Sequence, residues 1–314
     1  METKKIRELV PENKQKMFDD IKSGAILGAS NHIKMIGEMF IEIGKQTDID
    51  DKEKLARISK ISNYYKETRG KSSYAIINAL NAMTSSLSSL KGNVKEGIKN
   101  EIENYFKHAN ANVDKIIQYT NKLTKDMKVI MVFDYSSTVE KFIASIPHRV
   151  KIYIPESRAI DGGKPFIKKA LEANHDVHFI LDAAMLTVLK ECDAIFIGAE
   201  TFYPDGTAFN TVGSDILAHL CKEYKIPYYV LTPMLKVDMR PLQGEYKEVI
   251  ASDLADKLSE NWETNLKEKV NFNCIELVAI DPEYITAYVS EEGILPISAI
   301  YHEACLYQER IGNK

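Results

Sequence analysis

Two short apolar runs in the middle of the chain limit its fold more than any other feature of the sequence. They are Val177–Leu181 and Ala194–Gly198, and both are rich in β-branched and aromatic residues. Apolar runs of this length are typical of strands covered on both faces, so we predict two buried strands of a parallel sheet. Asp182 follows the first run and Glu200 follows the second. Because the carboxyl ends of parallel strands line the ligand crevice, we expect these two acids to lie side by side there.

Further apolar runs extend this sheet, with helical patterns between them. The runs lie about 17–30 residues apart, a spacing that favours right-handed crossovers between parallel strands. The additional predicted strands are Lys128–Phe133, Val150–Pro155 and Ile226–Leu231. Beyond them, Phe272–Ile280 has an extended apolar pattern, and Glu283–Ala304 is typical of short helices around Gly293 and Pro296.

The part of the chain before Lys128 has a helical pattern instead. Ile33, Ile36 and Phe40 recur at helical spacing, and a second helix is predicted to end near Tyr65. Residues 66–73 then form a predicted turn rich in donors, which leads into a helix over 74–90. We therefore predict two domains in an α/β protein, a helical one over 1–125 and a mostly parallel α/β one over 126–314.

Composition and charge exclude several classes of function. The net charge of −4 is not typical of proteins that bind nucleic acid directly, and no apolar run is long enough to span a bilayer. The N-terminal stretch has no signal-peptide core, and the four cysteines form no CxxC pair. We therefore expect a cytoplasmic protein without membrane association or a metal. Neither GxGxxG nor GxxxxGK[ST] occurs, so no cofactor is expected.

Polar residues cluster at the predicted strand ends, together with a helix that opens at Gly213-Ser214. An arginine, hydroxyls and a helix N-terminus suit a phosphorylated small molecule. Such residues equally often cap helices. Asp182 and Glu200 allow two interpretations: an acid–base pair, or a helix cap at Asp182 with Glu200 accepting backbone N–H bonds.

Several motifs resemble one known family. They are YSSTV and ESR, the run from ILDAAML to GSDILA, IPYYVLTPMLK, and the ending PEYITAYVSEEGILPISAI. These are similar to the regulatory subunits of translation initiation factor 2B, whose relatives are ribose-1,5-bisphosphate and methylthioribose-1-phosphate isomerases. The resemblance covers most of the chain from about residue 20. It implies a Rossmann-like second domain and an inter-domain pocket for a sugar phosphate or nucleoside monophosphate.

Departures from the isomerase pattern distinguish the branches of that family. The isomerases carry a cysteine after the first strand of this domain and an aspartate in a Gly-Ala-Asp triplet, as their acid–base pair. Here the turn reads Asp134-Tyr135-Ser136-Ser137-Thr138, and the triplet is Gly198-Ala199-Glu200. A serine is a much weaker base than a cysteine thiolate, and glutamate displaces the carboxyl by one methylene. Both features resemble the non-catalytic subunits, alpha in particular.

Two ligand-facing positions differ as well. The family's Asn-Lys-Ile-Gly is Asn210-Thr211-Val212-Gly213, which lacks a cation, and Arg-Pro is Arg158-Ala159. Arg158 and Asn210 still match. The residues that the resemblance and the strand ends together predict to bind ligand are Arg69, Ser137, Arg158, Asp182, Glu200, Asn210, Gly213, Ser214 and Lys236.

The sequence thus supports two functional hypotheses. The first is an initiation factor 2B alpha-like regulatory protein that binds a sugar phosphate or nucleoside monophosphate without converting it. We expect it to form a homodimer or larger homo-oligomer, or to associate with initiation-factor subunits. The alternative is an aldose–ketose sugar-phosphate isomerase in which Glu200 acts with Ser136 or Asp134. Whether the chain is an enzyme is left open by the sequence.

Overall fold

The computed structural model describes residues 3–23, 25–26, 28–90, 92–248 and 251–312. The chain divides into two compact units. The first comprises Met1–Ala111, Leu235–Val237 and Ala304–Lys314, and the second comprises Asn112–Met234 and Asp238–Glu303. We retain residue 125 as the proposed boundary between folding domains, because the last helix before the sheet ends at Leu123.

The first unit is built of helices. They are α1 (Thr3–Arg7), α2 (Glu12–Ser23), α3 (Ala29–Lys45), α4 (Asp51–Ser72), α5 (Tyr74–Thr84) and the part of α6 (Val94–Leu123) up to Ala111. Side chains from α2 to α6 form one apolar core, in which Phe18, Phe40 and Ile61 are fully buried. Fully burying side chains of this size stabilises a fold by about 1.5–3 kcal/mol each.

The predicted turn over residues 66–73 is wrong. Helix α4 continues to Ser72, so Arg69 and Gly70 lie in its last turns. A β-carbon added at Gly70 would lie 2.5 Å from Cγ1 of Ile77 on α5. Gly70 is therefore explained by the close packing of α5 against α4, and it does not end the helix.

Asn78 holds distant parts of the first unit together. Its Nδ2 donates to the carbonyl oxygens of Leu235 at 2.9 Å and Val237 at 2.8 Å. Its Oδ1 accepts from Nε2 of Gln308 at 3.2 Å. Asn78 is completely buried, so these three bonds satisfy a side chain that would be costly to leave unpaired.

The second unit contains a seven-stranded sheet in the order β12-β11-β7-β4-β1-β2-β3. All neighbouring strands in it are parallel except β11 and β12. The strands are β1 (Val129–Phe133), β2 (Lys151–Pro155), β3 (Asp176–Ile180), β4 (Ala194–Ile197), β7 (Tyr228–Leu231), β11 (Ala287–Ser290) and β12 (Gly293–Leu295). The predicted mostly parallel sheet is confirmed, since its five predicted strands are all present within two residues of their expected ends.

Helices and two small sheets complete this unit. The helices are α7 (Ser137–Ser145), α8 (Lys164–Glu172), α9 (Met185–Leu189), α10 (Ser214–Tyr224), α11 (Ala255–Leu258), α12 (Thr264–Lys267) and α13 (Ile297–Arg310), the last of which enters the first unit at Ala304. The antiparallel strands are β5 (Thr201–Phe202), β6 (Ala208–Thr211), β8 (Ala251–Asp253), β9 (Asn273–Ile275) and β10 (Leu277–Ile280). They form sheets β10-β6-β5 and β8-β9.

Three expectations about the sheet are wrong. Strand β3 is at the edge, and Phe179 on it is 49% exposed, so it is not buried on both faces. Strands β1 and β2 separate β3 from β4, so Asp182 and Glu200 are not neighbours. Residues 283–304 contain strands β11 and β12 before α13. The sheet provides pairing partners there, and tertiary pairing of this kind overrides local propensity.

The first prediction concerns Asn78. We expect Asn78→Ala to lower the free energy of unfolding by about 2–4 kcal/mol, because two buried carbonyls and one amide lose their partners. Urea unfolding measures this difference. Asn100, an exposed residue of α6, provides the control, since Asn100→Ala should change stability by less than about 0.5 kcal/mol. Equal stability of both variants would contradict the role given to Asn78.

Candidate functional site

The site begins at the point where the chain reverses its direction across the sheet. From β1 the chain moves to β2 and β3 on one side, and it then crosses to β4 on the other side of β1. Phe133 at the end of β1 pairs with Ile197 at the end of β4. The loops that follow, with Asp134 and Glu200, therefore start next to each other. In doubly wound sheets this switch point is where ligands bind.

Asp134 connects three segments at this point. Its Oδ1 accepts a hydrogen bond from Oγ of Ser157 at 3.0 Å, and its Oδ2 accepts one from Oγ1 of Thr211 at 2.7 Å. It is buried and has a φ of 60°. Burial raises the pKa of the Asp134 carboxyl, while the hydrogen bonds from Thr211, Ser157 and the Tyr135 backbone oppose that rise.

Glu200 is the second acid of the site. Its backbone N–H donates to the carbonyl of Phe209 at 2.8 Å, and its side chain is half-buried. The negative charge of Glu200 adds to the rise in the pKa of Asp134. The acid whose pKa the charge of Glu200 affects is therefore Asp134, which ends the neighbouring strand, and not Asp182 as the sequence suggested.

Asp182 fixes the loop after β2. Its Oδ1 accepts from the backbone N–H of Ser157 and its Oδ2 from that of Arg158, both at 2.8 Å. The N-cap residues of the 3-10 turn and of α9 are Leu181 and Ala184, so both oxygens of Asp182 serve the loop after β2 and not a helix end. The helix-cap interpretation is thus wrong as well. Contact of Asp182 with a sugar hydroxyl stays a prediction.

The side chain of Arg158 lies at the surface and has two partners within the second unit. Its Nη2 donates to the carbonyl oxygen of Lys257 at 3.0 Å. Its Nη1 lies 3.8 Å from Oδ1 of Asp161, and the side chain is 48% exposed. Arg158 is therefore positioned beside the loop that Asp182 holds, with its guanidinium bonded to a different segment.

Ser136 and Ser137 begin α7. Oγ of Ser136 accepts a long bond from the backbone N–H of Val139 at 3.4 Å, as the N-cap of the helix. A β-carbon added at Gly198 would lie 2.5 Å from Oγ of Ser136. The two loops of the switch point are thus in direct contact at Ser136 and Gly198. Ser137 is exposed one position further on.

Asn210, Gly213 and Ser214 lie at the end of β6 and the start of α10. The Nδ2 of Asn210 and the Oγ of Ser214 are both buried, and neither has a hydrogen-bond partner among the described residues. Gly213 has a φ of 101° and precedes the first residue of the helix. Its N–H donates to Oδ1 of Asp215 at 3.1 Å. Helix N-termini of this kind favour anions.

Arg69 and Lys236 belong to the first unit. The guanidinium of Arg69 donates to the backbone carbonyls of Ile21 and Lys22. Lys236 ends the short 3-10 turn Met234–Lys236. Their contact with a ligand remains a prediction from the sequence.

Lys247 is a residue of the site that the sequence did not indicate. Its backbone N–H donates to the hydroxyl oxygen of Tyr203 at 2.7 Å. Burial lowers the pKa of the Lys247 ammonium, and the charge of Glu200 works against that shift. Lys247 lies in a polar stretch without periodicity, so no sequence pattern linked it to Glu200.

Two searches of the described residues bear on other classes of site. No group of three or more His, Cys, Asp and Glu side chains in that part of the chain is arranged to hold a metal ion. None of the described helices is long and apolar enough to cross a membrane.

The mostly parallel sheet, with a change of chain direction between β3 and β4, defines an α/β protein of the doubly wound type. The profile of the Initiation factor 2 subunit family matches residues 28–297 of the chain. The chain belongs to this family.

The chain is similar both to proteins named as sugar-phosphate isomerases and to proteins named as initiation-factor subunits. Ribose 1,5-bisphosphate isomerase of Archaeoglobus fulgidus is 27% identical over 63% of this chain and 62% of its own length. 5-Deoxyribose 1-phosphate isomerase of Petrotoga mobilis is 31% identical over 47% of this chain and 44% of its own. The chain thus spans less than two thirds of either relative. A Pyrococcus furiosus protein named as a putative initiation factor eIF-2B subunit 2-like is 26% identical over 77% of this chain and 85% of its own.

Solved structures give the same fold. Translation initiation factor eIF-2B of Pyrococcus horikoshii has a TM-score of 0.73 at 20% identity, over 91% of this chain and 98% of its own. 5-Methylthioribose 1-phosphate isomerase of the same organism has a TM-score of 0.70 at 17% identity, over 96% and 92%. The predicted fold class is confirmed, and the fold is common to both functional branches.

The second prediction concerns the ionisation of Asp134. Its pKa in the folded protein lies above the ordinary 3.8, so the carboxyl stabilises the fold most when protonated. That contribution is lost as pH rises from about 4 through the folded-state pKa. Asn cannot ionise and still pairs with the two hydroxyls. Hence the unfolding free energy of Asp134→Asn, relative to the unsubstituted protein, should increase over this rise in pH.

Urea unfolding across this pH range measures the difference. The control is Asp114→Asn at an exposed position of α6. Parallel pH profiles for the unsubstituted protein and Asp134→Asn would show that the carboxyl is not perturbed.

Proposed function

We propose that this chain is a non-catalytic, initiation factor 2B alpha-like regulatory protein. It binds a sugar phosphate or a nucleoside monophosphate at the switch point of the second unit. The observation that supports this most is that two polar atoms, Nδ2 of Asn210 in β6 and Oγ of Ser214 at the start of α10, are buried without a hydrogen-bond partner among the described residues. Both groups can donate hydrogen bonds to phosphate oxygens.

The energetics favour an anionic group at this place. An unpaired buried donor costs about 1–3 kcal/mol, so the Asn210 amide and the Ser214 hydroxyl together are a substantial penalty for the free protein. A phosphate at the N-terminus of α10 would remove that penalty and would also interact with the positive end of the helix dipole. Glu200 is available in the same site to accept bonds from the hydroxyls of a sugar.

The proposal that no reaction occurs rests on how the acid–base groups are engaged. Both oxygens of Asp134 already accept hydrogen bonds, from Ser157 and Thr211. Ser136 caps α7, and its Oγ already accepts a hydrogen bond from the N–H of Val139. Moving a proton between two carbons requires a positioned base and acid. With Asp134 and Ser136 engaged in this way, Glu200 would have to perform both steps itself or share them with Lys247, whose pKa is lowered by burial.

The alternative is an aldose–ketose isomerase, and one observation favours it. The Asp134 carboxyl has a raised pKa and is influenced by the charge of Glu200. Two acids whose pKa values are driven apart are a common acid–base arrangement. In this reading Glu200 transfers the proton and Asp134, or Ser136, is its partner. The isomerase names of two relatives support the same alternative.

We also propose that the protein self-associates or joins initiation-factor subunits. A structure titled as the tetrameric eIF2B-beta2-delta2 complex from C. thermophilum has a TM-score of 0.68 with 15% identity, over 97% of this chain and 98% of its own. That assembly supports an oligomeric state for this chain, as does its membership of a family of subunits.

The third prediction tests the phosphate site. Ser214→Ala should weaken binding of ribose 1,5-bisphosphate or AMP about tenfold, since one hydrogen bond to a charged group is lost. The same change should raise the unfolding free energy of the free protein by up to about 1 kcal/mol, because it removes an unpaired buried hydroxyl. Titration calorimetry and urea unfolding measure the two effects.

Ser290→Ala is the matched control. Ser290 is equally buried, but its Oγ accepts from the N–H of Glu292 at 3.1 Å. This variant should lose stability and keep its affinity. If Ser214→Ala instead lowers stability without changing affinity, the hydroxyl is structural and the phosphate site is not at α10.

The fourth prediction tests for catalysis. Turnover of ribose 1,5-bisphosphate and of 5-deoxyribose 1-phosphate should equal the background for the unsubstituted protein and for Glu200→Gln, while both proteins bind ligand. Coupled assay and phosphorus NMR measure conversion. A rate well above background that Glu200→Gln abolishes would establish the isomerase alternative.

A further inference from the structure

The guanidinium of Arg158 connects the site to a separate segment of the second unit. This segment, residues 251–275, contains the β8-β9 pair together with α11 and α12. Nη2 of Arg158 donates to the carbonyl oxygen of Lys257 at 3.0 Å. In return, Nζ of Lys257 lies 3.3 Å from Oδ2 of Asp161 in the loop after β2. The segment and the loop thus hold each other through two crossed interactions.

The backbone of Arg158 is held more firmly than its side chain. Asp182 accepts the N–H groups of both Ser157 and Arg158, and Oγ of Ser157 is bonded to Asp134. The side chain itself is 48% exposed. A fixed backbone with a long, half-exposed side chain allows the guanidinium to exchange partners without refolding the loop.

The 251–275 segment presents an apolar surface and carries a natural reporter. Trp262 is the single tryptophan of the chain, is 47% exposed and contacts the ring of Phe272 at 5.6 Å between centroids. Other exposed large apolar side chains of the segment are Leu258, Leu266, Val270 and Ile275. A change in how this segment is held would therefore change the environment of a unique fluorophore.

The present partners of Arg158 are weak compared with a phosphate. One is a neutral carbonyl, and the other is a carboxylate oxygen at 3.8 Å, beyond hydrogen-bond distance. A phosphate can accept two parallel bonds from a guanidinium, and such charge-assisted bonds are about twice as strong as neutral ones. A ligand phosphate within reach of the Arg158 guanidinium would therefore be bound in preference to the carbonyl oxygen of Lys257 and the carboxylate of Asp161.

We propose that Arg158 is a ligand-operated latch. Without ligand it holds the 251–275 segment through the carbonyl oxygen of Lys257, and with ligand it turns to the phosphate, which removes one of the two interactions that hold the segment to the loop after β2. The inference rests on the proposed function, because it requires a phosphorylated ligand at the switch point. Its consequence is that occupancy of the site changes the mobility of an apolar surface that a partner subunit could contact.

The first experiment tests the latch without any ligand. Arg158→Ala should make amide hydrogen exchange in residues 251–275 about 3- to 10-fold faster and increase acrylamide quenching of Trp262 fluorescence. The control is Arg149→Ala, at another exposed arginine of the second unit. Unchanged exchange and quenching in Arg158→Ala would overturn the latch, whatever binds at the site.

The second experiment adds ribose 1,5-bisphosphate or AMP, with binding followed separately by calorimetry. Ligand should reproduce the faster exchange and quenching in the unsubstituted protein, and should cause no further change in Arg158→Ala. If ligand binds but leaves Trp262 and the 251–275 amides unchanged, the latch is wrong while the proposed function stands. If neither compound binds at millimolar concentration, the proposed function and the ligand-operated part of the latch fail together, even when the first experiment succeeds.

Discussion

The paired hydroxyl donors on the buried carboxylate of Asp134 are the interaction on which the rest of the site depends. They join the ends of β1 and β6 to the loop after β2. A buried carboxylate is tolerated only when its oxygens accept hydrogen bonds. The three segments therefore cannot separate without removing the donors from this carboxylate. Asp182 also fixes the loop after β2, because its carboxylate accepts hydrogen bonds from two backbone N–H groups of that loop. Ser157 and Arg158 are thereby positioned by the carboxylates of Asp134 and Asp182.

The charged groups at the switch point differ in how they are held. Asp134 and Glu200 are both acids, yet one is engaged by hydrogen bonds and the other is only half-buried. Lys247 adds a cation whose charged form is disfavoured by burial and favoured by Glu200. A site that distributes its charges in this way can recognise both the anionic and the hydroxylated parts of a small ligand. The solved structures with isomerase names and with initiation-factor names share the fold, so the sheet itself does not distinguish the two functions.

Sequence patterns predicted the sheet better than the site. Buried parallel strands such as β1 and β4 produce continuous apolar runs, and these were found within two residues of their ends. The edge strand β3 has the same kind of run, so its exposure could not be inferred from composition. Gly70 suggested a turn, although it is required for the approach of Ile77. The acids were identified, but their pairing depends on strand order. Because β1 lies beside β4, Glu200 is placed with Asp134 and not with Asp182. Lys247 was not predicted, because it lies in a loop, and loop contacts leave no periodic pattern in the sequence.

The hydrogen bonds of Asn78 also determine when the first unit can be completed during synthesis. Its partners lie 157, 159 and 230 residues away along the chain. While the ribosome has produced only the helices from α1 to α5, this buried amide has neither its carbonyl acceptors nor the donor from Gln308. Residues 112–234 of the second unit must emerge before the bonds to Leu235 and Val237 can form, and residues 238–303 must follow before the bond from Gln308 can form. Closing contacts over such separations is slow, so the helical unit that is made first reaches its final form last.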